Sequence, residues 1–304
     1  YARAEASGNS VSTPGLNLGI KTELLSANGD IVVAGRGSQS SSTVSQESGM
    51  WAYAINVNSG TGKIGMFAKS TSVNLAYSYA MYLIGGSHAD GVTITSASTA
   101  NDAITIIGDA SAGTTSYSPG ILTWSPKAGT NETGVRIAAT GAQGGVRMIG
   151  YSGSAAAGPT NGDAMGNGVE LNYTEILAAS GPIYIEGKTG NANKAGVSFS
   201  ARTHTGLITN KVYLGSRAGT VVPTSTSEIT VAADIITQNA AQPSVITTTG
   251  AVIMRPLTNN FAATFNNAGI GIGSGASSVS FGKDGNTGGI TITDAVTAGT
   301  ITLK

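Results

Sequence analysis

The sequence contains no cysteine among its 304 residues. Its absence excludes disulfide bonds, thiolate chemistry and cysteine-based zinc sites. Charged residues are also scarce: they make up 11% of the chain, against about 25% in an average globular protein. Because 16 basic residues balance 16 acidic ones, the formal net charge is zero. We therefore expect no nucleic-acid partner, since phosphate binding needs a basic surface.

Long apolar runs and histidines are lacking as well. No run approaches the ~18 residues that a membrane-spanning helix needs, so we expect no membrane span. His88 and His204 are the only histidines, and neither has a second ligand at metal-site spacing. We read both as polar turn or outward positions. The sequence therefore predicts no metal site and no cofactor.

Acidic residues are scattered along the chain rather than gathered in one motif. Glu170, Glu175 and Glu186 could align on neighbouring turns of a repeated fold, as carboxylates do in some polysaccharide-cleaving enzymes. Solvated carboxylates on strands or turns are the simpler interpretation. We accordingly assign no catalytic residues and expect the chain not to be an enzyme. A polysaccharide lyase or hydrolase is kept as the alternative.

Glycine is abundant, at 44 of 304 residues, about twice its usual frequency of about 7%. Helical periodicity is nearly absent. Instead, a glycine is repeatedly followed by an apolar–polar–apolar triplet, as in Val92-Thr93-Ile94, Val135-Arg136-Ile137 and Val197-Ser198-Phe199. Such alternation is typical of strands with one face buried and the other solvated.

Two stretches of the chain, 22–36 and 174–188, are near-copies of each other. A unit reused along a chain is the signature of a repeat architecture. Stacked coils of about 20–35 residues would bury apolar side chains that one coil alone cannot bury. We therefore predict an all-β fold, a parallel β-helix with irregular loop insertions that runs continuously from residue 1 to residue 304. An antiparallel β-sandwich remains the alternative, because Asn-Gly and Asp-Gly turns also occur.

Alternation within the strands also predicts which side chains point into the core of such a stack. Val32 and Tyr184 should face outward. The residues predicted to form inward ladders are Ile31, Val33, Ile183, Ile185, Val212 and Leu214.

The C-terminal motifs Ile270-Gly271-Ile272, Val279-Ser280-Phe281-Gly282 and Gly289-Ile290-Thr291-Ile292 resemble repeats of filamentous-haemagglutinin-like bacterial exoproteins. The segment 25–37 is similar to the strand–turn–strand coils of that family. The resemblance implies a right-handed parallel β-helix, export across the outer membrane, and a role in adhesion or in building an extracellular matrix. An extracellular or cell-surface location is the corresponding expectation.

The aromatic residues are concentrated in one short part of the chain. One interpretation is stacking of rings between neighbouring coils, and the other is a surface that contacts a sugar or a protein. Loops and exposed aromatics on a rigid scaffold are where binding concentrates. The candidate contact residues are Trp51, Tyr53, Tyr77, Tyr79 and Tyr82.

These observations favour a non-enzymatic, secreted or surface-anchored solenoid that forms an adhesin stalk or an extracellular fibre. Its expected partners are a host or neighbouring cell surface, glycans or extracellular matrix. We also expect the chain to be part of a longer polypeptide or to associate end to end into filaments, because 299–304 is an uncapped strand pattern. A third hypothesis, ice binding by a flat threonine-rich face, rests on residues such as Thr93, Thr105 and Thr291.

Overall fold

A computed structural model describes residues 2–5, 14–37, 47–71, 78–85, 91–114, 118–125, 134–154, 166–199, 211–273 and 275–304. These residues form 27 strands, and no helix occurs among them. In chain order the strands are β1 (Ala2–Glu5), β2 (Leu16–Leu18), β3 (Glu23–Leu25), β4 (Ile31–Arg36), β5 (Glu47–Tyr53), β6 (Asn56–Asn58), β7 (Ile64–Lys69), β8 (Ser78–Ile84), β9 (Val92–Ser96), β10 (Ile104–Asp109), β11 (Ile121–Trp124), β12 (Val135–Ala139), β13 (Val146–Ser152), β14 (Val169–Leu171), β15 (Thr174–Ala178), β16 (Ile183–Thr189), β17 (Val197–Phe199), β18 (Val212–Gly215), β19 (Ile229–Ala232), β20 (Ile236–Gln238), β21 (Ser244–Thr247), β22 (Ala251–Arg255), β23 (Phe265–Asn266), β24 (Ile270–Ile272), β25 (Ser278–Phe281), β26 (Ile290–Thr291) and β27 (Thr300–Leu303).

The strands form three long parallel sheets, and the chain visits them in rotation. Sheet A contains β1, β4, β7, β10, β13, β16, β19, β22, β25 and β27, sheet B contains β2, β5, β8, β11, β14, β17 and β20, and sheet C contains β3, β6, β9, β12, β15, β18, β21 and β24. The short pair β23 and β26 forms a fourth, two-stranded sheet. Every pairing between these strands is parallel, which confirms the β-helix and excludes the antiparallel sandwich.

One coil is therefore three strands, one from each sheet. The coil length also varies more than expected. Ile183 pairs with Ile229, whereas Val279 pairs with Ile301 after a much shorter stretch of chain. The longer coils hold extra residues at their corners, and the register of the strands is unaffected. Because the step from Ile183 to Ile229 exceeds the predicted range of coil lengths, that range is too narrow.

The two near-copies occupy equivalent places in the stack. In each copy a sheet C strand, β3 or β15, is followed by a turn and then by a sheet A strand, β4 or β16. Successive pairings connect Glu23 to Glu175 through sheet C, and Ile31 to Ile183 through sheet A. We call such a set of residues, paired from coil to coil, a column.

Inward-facing columns build one continuous apolar core. Of the six residues predicted to point inward, five are at most 1% exposed, and the sixth, Ile31, is partly buried and packs against the core. Val32 and Tyr184, which were predicted to point outward, are partly exposed. The predicted register is therefore correct. The five buried residues are Val33, Ile183, Ile185, Val212 and Leu214.

Sharp corners separate the sheets. At the corner from sheet B to sheet C, Lys21, Ala54 and Tyr173 adopt positive φ angles of 64°, 47° and 51°. At the corner from sheet A to sheet B the backbone of one strand approaches the next strand closely. A Cβ atom on Gly187 would lie 1.8 Å from the carbonyl oxygen of Gly196, so only glycine fits there.

Candidate functional site

The outer face of sheet B carries a row of large side chains. Because side chains alternate along a strand, the inward Met50 and Met81 leave Trp51 and Tyr82 on the opposite face. Trp51 pairs with Tyr82, and Tyr82 pairs with Leu122 on the next coil. The register of β5, β8 and β11 thus brings together residues that are far apart in the sequence.

Tyr82 is the centre of this group. Its ring lies 4.9 Å from that of Tyr79 in a stacked arrangement, 6.0 Å from Trp51 edge to face, and 6.4 Å from Trp124. Tyr79 and Tyr82 are buried, whereas Trp51, Tyr53 and Trp124 are only partly buried. We call these five residues the aromatic patch. Buried tyrosines support partly exposed rings, which keeps the exposed ring faces in fixed positions.

Four of the five candidate contact residues lie in this patch, and their contact with a ligand or partner stays a prediction. Trp51, Tyr53, Tyr79 and Tyr82 belong to one apolar cluster. Tyr77 lies outside the described residues. Trp124 was missed because it is distant from Tyr82 in the sequence, and only the pairing of β8 with β11 reveals the neighbourhood. The indole nitrogen of Trp51 donates a hydrogen bond to Ser48 Oγ at 2.5 Å, which orients the ring.

The column that carries Trp51 and Tyr82 changes character at β14. There Glu170 follows Leu122 and is completely buried. The side-chain amides of Asn167 and Asn172 donate to its two carboxylate oxygens at 3.2 and 3.3 Å. The two amide donors offset part of the cost of burying this carboxylate. Glu170 therefore marks the polar end of the aromatic patch.

On sheet C a second buried carboxylate, Glu175, joins two arginines. Arg136 Nε and Arg217 Nη1 donate to its two oxygens. The Arg217 guanidinium also lies over the Tyr213 ring, 4.4 Å from its centroid. Val222, from the segment that contains Arg217, packs on Leu177 of the same face. This segment thus covers the middle of sheet C, and the ion pairs hold it in place.

Glu186 lies on sheet A and is only partly buried. Tyr184 donates its hydroxyl to Glu186 Oε2 at 2.6 Å, and Tyr151 donates to Oε1 at 3.3 Å. Burial and the negative charge of Glu186 raise the pKa of Tyr184 to about 12, although Arg255 and Arg147 act in the opposite direction. The same causes raise the pKa of Tyr151.

The three glutamates therefore lie on three different sheets of the β-helix. The expectation that Glu170, Glu175 and Glu186 could align on neighbouring coils is wrong, because β14, β15 and β16 belong to one coil and face three directions. Thr93, Thr105 and Thr291 likewise lie on three different sheets, so these threonines do not share one flat face.

Two further charged pairs, on sheet A and beside it, connect one coil to the next. Lys63 Nζ contacts Asp102 at 2.7 Å, and the hydrogen bond from Lys63 lowers the pKa of Asp102. Lys69 Nζ contacts Asp109 at 2.8 Å. Burial raises the pKa of Asp109, but hydrogen bonds from Lys69 and Ser111 outweigh burial and lower it overall.

Among the described residues no cluster of three or more histidines, cysteines or acidic residues could hold a metal ion. His88 and His204 lie outside these residues. The described part of the chain also contains no helix that is long and apolar enough to cross a membrane. Comparison with protein-family models, with curated proteins and with solved structures gave no match to this chain.

Proposed function

We propose that this chain is a structural and adhesive β-solenoid of the bacterial cell surface or the extracellular space, where it forms an adhesin stalk or a fibre. Support comes from the coil stack itself. Three parallel sheets share one apolar core along the stack, so each coil is held by its neighbours on both sides, as in an extended repeat protein. The likeness to filamentous-haemagglutinin-like exoproteins rests on the sequence motifs and belongs to the same proposal.

The aromatic patch is the observation that carries the adhesive part of the proposal. Trp51, Tyr53 and Trp124 present partly exposed rings on a face whose inner layer, Tyr79 and Tyr82, is buried. Aromatic rings fixed on a rigid support are typical binding residues, because little side-chain entropy is lost when a ligand stacks on them. The partner is a glycan or a matrix component on a host or neighbouring cell.

The test is attachment. Beads coated with the chain are incubated with cells and with an array of glycans, and the Trp51→Ser, Trp124→Ser double variant is compared with the wild-type chain. We expect attachment to fall about tenfold or more, because two ring contacts are lost. Phe67→Ser is the control, since Phe67 is an exposed aromatic residue (38%) on sheet A.

Circular dichroism must be unchanged in both variants for the attachment comparison to count. Equal attachment by the double variant and the wild-type chain would refute the adhesive role of the patch. Release of reducing ends or of unsaturated uronates from a polysaccharide panel by the wild-type chain would refute the non-enzymatic function.

End-to-end association is the second part of the proposal. Ile301 and Leu303 occupy the inward columns of Val279 and Phe281, yet they are 49% and 57% exposed. A second copy that stacks on this layer would bury both side chains. In sedimentation over a range of concentrations, the 304-residue chain should form linear oligomers, and the Ile301→Ser, Leu303→Ser variant should not. Val221→Ser, which removes a similarly exposed apolar side chain elsewhere, is the control.

A further inference from the structure

The outer face of sheet A has an excess of positive charge that the neutral chain as a whole lacks. From β4 to β27, two carboxylates, Asp109 and Glu186, point outward from its strands. Five cations point outward from the same strands, which gives these strands a formal net charge of +3; the exposed Glu228, directly before β19, adds one negative charge beside Thr230 on the same face. The cations are Arg36, Lys69, Arg147, Lys188 and Arg255.

The middle of this face, from β13 to β22, holds three cations that form no ion pair with the described residues. Arg147 and Lys188 are exposed, and Arg255 is partly exposed. None of the ion pairs within the described ranges involves any of the three. Lys69, by contrast, already pairs with Asp109. A positive surface of this kind attracts an acidic partner.

The three cations share the outer face of sheet A with a carboxylate that is held in one orientation: Lys188 is on the same strand as Glu186, and Arg147 and Arg255 are on strands to either side. Glu186 accepts one hydrogen bond on each oxygen, from Tyr184 and from Tyr151. Each oxygen keeps a further lone pair, so the group remains able to accept hydrogen bonds from a ligand. Arg147 pairs with Tyr184 on the preceding strand of sheet A, and Arg255 lies in the column of Glu186 two coils further along.

We propose that this part of sheet A, the Glu186 face, binds a linear polysaccharide that contains uronic acid residues. The arginines would bind the carboxylates of the sugar, because a guanidinium matches a carboxylate with two parallel hydrogen bonds. Glu186 would accept hydrogen bonds from sugar hydroxyls. The partly exposed ring of Tyr184 would pack against an apolar face of a sugar ring.

The spacing of the face suits an extended chain that runs along the coil axis. From coil to coil, Arg147 pairs with Tyr184, Tyr184 pairs with Thr230, and Thr230 pairs with Ile253. Arg255 lies on the same strand as Ile253, two residues further along the chain. Three coil steps of about 4.8 Å therefore separate the two arginines along the axis, a distance of about 14 Å. A polymer with several acidic sugars can reach both arginines at once.

Glu186 is the reason for choosing an acidic sugar rather than any polyanion. A polymer that carries only carboxylates would be repelled by Glu186 and would offer it no hydrogen-bond donor. A uronic acid brings a carboxylate for the arginines and hydroxyl donors for Glu186 in the same residue. The inference names a ligand class for the adhesive function proposed above and rests on it, but it uses a different sheet from the aromatic patch.

Binding is tested by affinity electrophoresis and calorimetry with three probes: polygalacturonate, neutral dextran and polyacrylate, which when ionised has carboxylates but no hydrogen-bond donor. We expect polygalacturonate to bind and the other two to bind at least about tenfold more weakly. The Arg147→Gln, Arg255→Gln variant should lose about tenfold or more in affinity for polygalacturonate. Lys21→Gln, Lys211→Gln, which removes two cations outside sheet A, should leave the affinity unchanged.

Glu186→Gln separates sugar recognition from simple charge attraction. It removes a negative charge, so a purely electrostatic face would bind both acidic polymers more tightly. If Glu186 accepts sugar hydroxyls, the variant should bind polygalacturonate more weakly. Tighter binding of polygalacturonate by this variant, equal binding of polyacrylate and polygalacturonate by the wild-type chain, or no binding of polygalacturonate would each overturn the proposal.

The two binding proposals fail independently. If the Trp51→Ser, Trp124→Ser variant loses cell attachment but still binds polygalacturonate, the aromatic patch mediates attachment and the two surfaces bind separately. Polygalacturonate binding that vanishes only in the Arg147→Gln, Arg255→Gln variant supports the Glu186 face, even where the aromatic patch proves inactive.

Discussion

Paired positions on sheet A lie much farther apart in the sequence between β4 and β19 than between β19 and β27. We call these two regions the long-coil part and the short-coil part. The inward columns are the same in both: Ile185, Val231 and Met254 follow one another in register and are all buried. The two parts therefore share one core and differ in what surrounds it.

Outside the core, the two parts differ in how deeply their outward side chains are buried and in how their corners are held. In the long-coil part both faces of β8, β14 and β17 are buried. In the short-coil part the outward residues of β20, β23 and β26 are exposed or nearly so, and polar side chains at the corners bind the next coil. Asn260 Oδ1, for example, accepts from the backbone nitrogen and the hydroxyl of Thr287.

This difference indicates that the apolar alternation of the strands determines how the coils stack, whereas the corner segments determine what lies on the outer surface. A corner can be short or long, since the register of the neighbouring strands depends on their own apolar alternation. The aromatic patch and the Glu186 face both lie in or next to the long-coil part. Both proposed binding surfaces are thus associated with the longer coils.

The largest expected effect tests whether the two parts have equivalent cores. Ile185→Asp in the long-coil part and Met254→Asp in the short-coil part should each destabilise the chain by about 4 kcal/mol or more, because an unpaired charge is buried. Tyr184→Asp, on the outward face, should cost far less. Chemical denaturation followed by circular dichroism measures all three. Tolerance of Met254→Asp alone would show that the short-coil part is loosely packed.

The next effect concerns the polar corners of the short-coil part. Asn267 is fully buried, donates to the Asp294 carbonyl at 2.9 Å, and accepts from the nitrogens of Thr293 and Asp294. Asn267→Ala should lower the free energy of unfolding by about 2–3 kcal/mol, because it leaves buried groups without partners. Asn266→Ala, an exposed neighbour, should cost less than about 1 kcal/mol. Equal losses in the two variants would mean that burial is not what matters at this corner.

A smaller effect is expected at a long-coil corner. Ala54 has a φ of 47°, a conformation that costs an alanine about 1 kcal/mol and a glycine almost nothing. Ala54→Gly should therefore change stability by less than about 0.5 kcal/mol, since the relief of strain offsets the greater freedom of the unfolded chain. Ala52→Gly, on the adjoining strand β5, should destabilise by about 1 kcal/mol. A larger loss at residue 54 than at residue 52 would contradict the strained corner.

The smallest effect is a titration on the outer face of the long-coil part. The folded-state pKa of Tyr184 is raised to about 12, above the value of about 10 in an unfolded chain. Its stabilising contribution is therefore complete below pH about 10 and is lost as the pH rises through about 12. The phenolate absorbance of the wild-type chain minus that of Tyr184→Phe gives the midpoint. Glu186→Gln should move this midpoint toward 10, and an unmoved midpoint would show that the Tyr184–Glu186 bond is absent in solution.

Much of the fold was predictable, because the alternation of apolar and polar residues indicates the strands and the two near-copies indicate the repeated coil. The near-copies correctly placed Ile31 and Ile183 in one column, and the alternation around Tyr184 correctly assigned the outward side. The third sheet was not predictable from the same signals. Only Asn172 and Tyr173 separate β14 from β15, and their sharp turn depends on the positive φ of Tyr173 rather than on a glycine or proline.

The sites were less predictable than the fold, since they depend on register between distant segments. Crowding of aromatics in the sequence indicated most of the aromatic patch but could not include Trp124. The grouping of Arg147, Tyr184 and Arg255 depends on the lengths of the successive coils between β13 and β22. Those lengths differ from one coil to the next, and no local pattern encodes them.

The succession of long and short coils also sets how the molecule responds to mechanical load. Hydrogen bonds between coils run along the axis, so a force that pulls the two ends apart detaches one coil at a time. Each detached coil lengthens the tether by about 3.4 Å per residue. The step from Ile183 to Ile229 would then release about 155 Å, and the step from Val279 to Ile301 about 75 Å. A single-molecule force trace would therefore show widely spaced ruptures for one part of the rod and closely spaced ruptures for the other.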